Sequence, residues 1–342
     1  MDETPATPKN NLTTELTPRL TASGWITRLS ARSKGVSAAL TSAFFLGMAP
    51  VFGKQAILMG IPPLAVVAFR TSIAAIVLVL VVFIFYRRYL YIYPTGLLGC
   101  LLAGWINGLG SLFYYSALAR LDASVGHLLY SLYPLFLVLW LTLDRQPPRR
   151  LTMIQLLLAI PAVYLLTGAG NGKIDLLGVF EMLLASALYA LHLPITQRVL
   201  YDVPAPTVTL YTLIAMSTVV VPAFLILGQK DMPIISYMVW PLLGLTMVTF
   251  LSRLMLFTGI KHLGGMQTAL LGLSEMVVAV LFSNLLLGEK FNAEQWIGAI
   301  LLVLSLALVG FNRSYSSNES SGWLSWLRSP GPTNNYPWQP DK

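Results

Sequence analysis

From residue 35 to residue 312 the chain is a near-continuous succession of apolar stretches, parted only by short breaks of charge, Pro and Gly. Crossing the hydrocarbon core of a bilayer takes about 20 mostly apolar residues in a helix, and within lipid every backbone polar group must be satisfied internally. The recurring length therefore selects membrane-spanning helices. Composition agrees, since 56% of the residues are hydrophobic and only 11% charged, where a soluble domain carries roughly a quarter. Cutting at the breaks gives ten segments, 35–58, 62–85, 94–119, 122–143, 152–168, 176–198, 205–227, 235–259, 264–287 and 294–312. The loops between them leave no room for a soluble domain.

Charge sets the expected orientation. Fifteen Lys and Arg fall on the side of the N-terminus, among them Arg87, Arg88, Arg198 and Lys261, against four on the other side, Arg120, Lys173, Lys230 and Lys290. The excess of positive charge marks the cytoplasmic side, so both termini are expected in the cytoplasm of a plasma-membrane protein. The basic residues lie in short loops rather than in one stripe, so the net charge of +8 points to lipid headgroups and not to nucleic acid. Residues 1–34 lack an apolar signal-peptide core and read as a cytoplasmic disordered tail. Residues 313–342 read as a second tail, whose Trp323, Trp326 and Trp338 suit a membrane surface. The single Cys100 forms no intrachain disulfide.

Sliding the sequence on itself by 142 positions superposes the segment boundaries of 35–168 on those of 176–312. Gln55 then falls on Gln197, Pro62 on Pro204, Leu128-Leu129 on Leu270-Leu271 and Gly168 on Gly310. Each repeat holds five spans, an odd number, so the second must insert upside down relative to the first. The basic bias fades accordingly, with Arg87 and Arg88 falling on Gln229 and Lys230. The expected fold is an all-α polytopic membrane protein of ten transmembrane helices in two inverted five-helix repeats, an architecture typical of secondary transporters.

The stretches "FYYSALARLDASVGHLLYSLYPLF" and "GIKHLGGMQTALLGLSEMVVAVLFSNLLLGEKFNAEQWIGAILLVLSLALVG" resemble the EamA-type members of the drug/metabolite transporter superfamily, and the likeness covers about residues 35–312. The resemblance implies a central cavity lined mainly by the first four helices of each half, and efflux of amino acids or related amines. Two departures stand out. The family often has Pro after the acid of the ninth helix, where this chain has Met276, and Gln146-Pro147-Pro148 replaces the Gly-Glu turn of the first repeat.

Depth along the segments sorts the polar residues. Glu275 lies about 11 residues from either end of the ninth segment, near the bilayer centre at 1.5 Å rise per residue. Asn107, Thr249 and Tyr133 lie at similar depth, and the 142 offset pairs Asn107 with Thr249 and Tyr133 with Glu275. A midplane site of a repeat-built transporter belongs in that layer. Helical spacing puts Asn107, Ser111 and Tyr114 on one face and His127, Tyr130 and Pro134 on another. Thr246, Thr249 and Arg253 share a third, and Thr268, Gly272 and Glu275 a fourth. Trp105, Tyr130 and Tyr189 are expected to wall a cavity for flat or amphipathic molecules. The substrate-binding set is thus Glu275, Asn107, Tyr133, Thr249, Tyr130, Trp105, Tyr189 and Arg253, with Glu275 binding an ammonium group or exchanging a proton.

Bland readings stand beside these. Glu275 protonated can simply bond a neighbouring helix, its cost of roughly 2.5–3.5 kcal/mol offset by surrounding Leu and Val. Lys54, Arg70 and Arg253 lie near enough to segment ends to snorkel toward headgroups, and His127 and His192 suit helix–helix bonding. Gly104 and Gly108 suit close helix packing.

No enzyme is expected. "TGAGNGKI" at 167–174 fails the phosphate-loop register at both Thr167 and Ile174. The sequence holds no HExxH, no cysteine cluster and no intramembrane Asp pair, so no metal and no cofactor are expected. The expectation is a secondary transporter of small polar or amphipathic metabolites, with a small-molecule metabolite, protons and membrane lipids as partners. The alternative is a membrane scaffold or lipid-linked flippase component.

Overall fold

The computed structural model describes residues 22–143, 150–168, 175–200, 202–228 and 239–311. The remaining parts of both expected tails, the Gln146-Pro147-Pro148 loop and most of "TGAGNGKI" lie outside the described residues. Within the described residues all regular structure is helical: α1 Ala22–Leu58, α2 Pro63–Phe85, α3 Pro94–Arg120, α4 Ala123–Tyr130, α5 Tyr133–Leu143, α6 Arg150–Gly168, α7 Leu176–Leu200, α8 Ala205–Leu227, α9 Val239–Leu263, α10 Gly265–Gly272, α11 Ser274–Phe282 and α12 Ala293–Phe311. A 3-10 turn, Arg87–Leu90, follows α2, and a π-helical turn, Ser283–Leu287, continues α11.

Among the described residues eight spans are long and apolar enough to cross a membrane, two of them built from the paired helices α4–α5 and α10–α11, and shorter apolar helices cover Leu157–Leu166 and Ala293–Ser305. One boundary differs from expectation. Helix α1 begins at Ala22, not at residue 35, because nothing between 22 and 34 breaks a helix more strongly than a single Gly.

The fourth and ninth segments are each broken in the middle, and for different reasons. Pro134 has no N–H to give the Tyr130 carbonyl four residues back. That carbonyl instead accepts the Ser186 hydroxyl of α7 at 2.7 Å, while Ser131 Oγ folds back on the His127 carbonyl at 2.8 Å. The ninth segment breaks at Leu273 although it has no Pro there. Tyr133 reaches in from α5 and donates its hydroxyl to the Ala269 carbonyl at 3.2 Å, the acceptor that the Leu273 N–H takes in an unbroken helix. Gly272 admits the ring, since a Cβ there would lie 2.5 Å from the Tyr133 oxygen. Ser274 completes the break by bonding the Leu271 carbonyl at 2.8 Å. Met276 in place of Pro therefore does not keep this helix continuous. The breaks, at Ser131 and Leu273, are 142 positions apart.

The helices pack across the two halves in matched pairs. Helix α1 lies on α9 as α3 lies on α7, α2 lies on α9 as α3 lies on α8, and α2 meets α8 while α6 meets α12. Lipid tails are as apolar as Leu, so close backbone approach rather than hydrophobic burial drives such contacts. Gly104 makes the α3–α8 crossing possible, where a Cβ would lie 2.7 Å from the Thr212 carbonyl oxygen, and Gly108 faces Val219 on the same helix. Gly47 does the same between α1 and α11, because a Cβ would lie 2.5 Å from the carbonyl oxygen of Glu275.

Candidate functional site

At the seam of the two halves is a cavity of about 50 Å³ lined by polar side chains of six helices, including Arg70, Asn107, His127, Arg253 and Glu275. Pockets that hold small molecules usually run to about 300–1,000 Å³, so this centre is narrow. Its placement follows from the helix breaks. Glu275 sits in the first turn of α11 directly after the break at Leu273, and His127 in the last turn of α4 before the break at Ser131. The two face each other, His127 Nε2 standing 3.9 Å from Glu275 Oε1. Tyr114 approaches the other ring nitrogen at 3.5 Å. Both facing atoms, Oε1 and Nε2, lack a hydrogen-bond partner although their residues are 2% exposed. Buried polar atoms are rarely left so, and such a pair is suited to meeting a ligand.

Two guanidinium groups reach the same cavity. Arg70 donates to Thr249 Oγ1 at 3.2 Å and to Ser111 Oγ at 3.3 Å, and its guanidinium carbon lies 4.6 Å from the centre of the Tyr115 ring. Arg253 is equally buried, and its Nη1 has no partner. Aromatic rings form the remaining wall. Tyr130 meets Tyr114 edge-on at 4.9 Å and lies tilted against Tyr189 at 5.2 Å, and Tyr133 meets Tyr189 edge-on at 4.9 Å.

The end of the bundle where α1 terminates is tied shut by charge. Glu289, in the turn before α12, accepts the Ala123 N–H at 2.7 Å, the Ser124 N–H at 2.9 Å and the Ser124 hydroxyl at 2.5 Å. It thereby caps α4, with the helix dipole favouring the carboxylate, while Asp122 at the N-cap position makes no side-chain cap of its own. Lys54 of α1 donates to the carbonyls of Leu118 at 2.9 Å and Leu121 at 2.8 Å, closing the C-terminus of α3. Burial, and then the neighbouring Glu289, push the Asp122 carboxyl above the usual carboxylate range, with Lys54 opposing. One latch thus joins α1, the α3–α4 turn and the α11–α12 turn.

Of the residues expected from sequence, Glu275, Asn107, Tyr130, Tyr189 and Arg253 line the cavity. Thr249 and Tyr133 are buried just behind it, holding Arg70 and the α10–α11 break respectively. Trp105 lies elsewhere: it is 41% exposed and its indole N–H bonds Thr218 at 3.1 Å. It precedes Asn107 by two residues, about 200° around the helix, so the stripe that turns Asn107, Ser111 and Tyr114 inward turns Trp105 out. Lys54 and Arg70 do not snorkel to headgroups, because each finds acceptors inside the bundle. Arg70, Ser111, Tyr114, Tyr115 and His127 are the polar lining residues missing from the expected site set. Ser111, Tyr114 and His127 lie on the helical stripes that the sequence singles out, and Arg70 carried the signal of a charge inside an apolar segment.

A larger groove of about 380 Å³ opens between α11 and α12, but its lining is apolar, with Met276, Val280, Trp296 and Ile300 among it, and many of these side chains are exposed. It belongs to the lipid-facing surface. Among the described residues no group of three or more His, Cys, Asp or Glu could hold a metal.

Membrane-length helices around a buried polar centre define a multi-pass membrane protein, and comparison with known proteins gives the family. Two stretches, 33–168 and 176–311, each match the EamA-like transporter family, so the chain belongs to that family, within the drug/metabolite transporter superfamily, and carries its repeat twice. It is 25% identical over 265 residues to the uncharacterized transporter YcbK of Bacillus subtilis (strain 168), covering 72% of this chain and 82% of that protein. A crystal structure 16% identical in sequence superposes with a TM-score of 0.61 over 82% of this chain and 97% of its own. That likeness bears on the fold alone.

Proposed function

We propose that this protein is a secondary, non-ATP transporter that exports small polar or amphipathic metabolites such as amino acids or amines across the plasma membrane by alternating access. The observation that carries this reading is the narrow polar cavity at the seam of the halves, where Glu275 Oε1, His127 Nε2, Asn107 Nδ2 and Arg253 Nη1 are all buried without hydrogen-bond partners. Groups that costly to leave unmet are suited to a transient ligand. The matched packing of the halves and the breaks at Ser131 and Leu273 support ten spans in two inverted five-helix repeats, and the Lys and Arg bias of the loops favours both termini cytoplasmic. Such halves rock about a fixed site. The latch of Glu289 and Lys54 then closes the outer face, and the substrate gradient or protons passing through Glu275 supply the driving force. Glu275, Asn107, Tyr130, Tyr189 and Arg253 contact the substrate, and Thr249 and Tyr133 position them.

The test is untargeted metabolite profiling of medium and cytosol from cells carrying the wild type, Glu275→Gln or an empty vector. A compound exported by the wild type and retained with the variant supports the reading. Identical profiles for wild type and empty vector overturn export.

A further inference from the structure

The cavity holds an unequal balance of charge. Arg70 and Arg253 are 8% and 6% exposed, yet among the described residues neither has a carboxylate within ion-pair distance. The lone acid that lines the cavity, Glu275, faces His127 instead. Arg70 is held by two neutral hydroxyls and the Tyr115 face, with Nε unpartnered. Arg253 has Nη1 unpartnered, and Asn107 Nδ2 adds another unused donor. Two buried cations and a free amide therefore meet a single carboxylate. Burying a charge without an opposite partner is costly, and guanidinium forks match the geometry of oxyanions better than any other side chain.

We propose that Arg70 and Arg253 form an oxyanion clamp, so that the molecule bound at this centre carries a carboxylate or a phosphate group. This rests on the transport reading and narrows it: amino acids fit, their carboxylate on the guanidinium pair and their ammonium on Glu275, while simple amines do not. Thr249 and Ser111 act as positioning residues that hold the Arg70 fork, and the tyrosine wall accepts an aromatic or aliphatic body.

The experiment uses the full chain in lipid nanodiscs and reads thermal unfolding with four probes: 3-phenylpropanoate, L-phenylalanine, phenethylamine and inorganic phosphate. The first three share a body and differ in charge. At about ten times its dissociation constant, a bound probe raises the unfolding temperature by roughly 2–4 °C. The clamp predicts a rise with at least one of the three anion-bearing probes and none with phenethylamine. Response to phosphate but not to 3-phenylpropanoate assigns the oxyanion as phosphate, and the reverse as carboxylate. Arg253→Gln and Arg70→Gln should weaken the anion at least tenfold, and Arg253→Lys should recover part of the loss. Stabilisation by phenethylamine alone, no response to any anion-bearing probe, or an unchanged response in variants that melt cooperatively overturns the clamp. Flux of phenethylamine through wild-type proteoliposomes without anion binding sinks the clamp and leaves transport intact. Identical wild-type and empty-vector metabolite profiles sink export, and the binding series still decides the clamp.

Discussion

The Tyr133 hydroxyl occupies the place that a side chain at Gly272 would take, 2.5 Å from where its Cβ would stand. From there it bonds the Ala269 carbonyl and holds α10 apart from α11. The direction of Glu275, three residues on, depends on this wedge. Gly272→Ala should force the ring out and destabilise the protein by about 1–3 kcal/mol, the usual range for overpacking, and should cut transport. Tyr133→Phe should cost about 1 kcal/mol. Thermal unfolding beside a flux assay checks both, and a Gly272→Ala protein as stable and active as wild type would rule the wedge out.

Glu275 and His127 face each other across the cavity at 3.9 Å, with no hydrogen bond to either facing atom. Glu275→Gln keeps the shape and removes the charge, so transport is expected to fall at least tenfold while unfolding temperature holds or rises, because burying an unpaired carboxylate is itself costly. A variant that loses stability and transport together would return Glu275 to a packing role.

Glu289 ties the second half of the chain to the first turn of α4. Replacing it with Gln removes a charge-assisted cap, at a cost of about 1 kcal/mol. Lys54→Met should loosen the same end by freeing the carbonyls at the close of α3. In both variants, a cysteine introduced at Asp122 in a Cys100→Ala background should label faster with a membrane-impermeant thiol reagent than in the parent. Unchanged labelling would mean that the latch does not control access.

Asp122 is held above the usual carboxylate range by burial and by Glu289. A carboxyl raised in the folded state favours folding below its unfolded value, and that contribution is lost as pH rises through the folded value. Asp122 remains exposed, so solvent screens the effect; Asp122→Asn should therefore stabilise the protein only slightly at neutral pH, and the gain should vanish below about pH 4. Melting curves at both pH values decide the point, and a gain that grows in acid would contradict it.

Much of the architecture is legible without coordinates, because membrane spans are set by length and apolarity alone. Seven of the eight expected site residues fall in or directly behind the central cavity, since depth along a span is a one-dimensional quantity that sequence reports directly. Facing is not. Trp105 and Asn107 share a depth and point opposite ways, and only the packing of α3 on α7 and α8 distinguishes them. Lys54 and Arg70 lie near span ends by count, but their partners come from α3 and α9, distant positions that no local pattern reveals. The break in the ninth segment also escapes sequence reading, because its cause is a tyrosine 140 positions away from the residue at which the helix opens.

The two helix breaks have the same place but not the same permanence. Pro134 cannot donate in any arrangement of the backbone, so the interruption at Ser131 is written into the covalent chain. The one at Leu273 is held by a phenol that can withdraw, returning the Ala269 carbonyl to its own helix. Likeness of position thus coexists with mechanical inequality: one half carries a fixed joint and the other a joint that can heal. Closing a break is therefore open to the half that bears Glu275 and barred to the other.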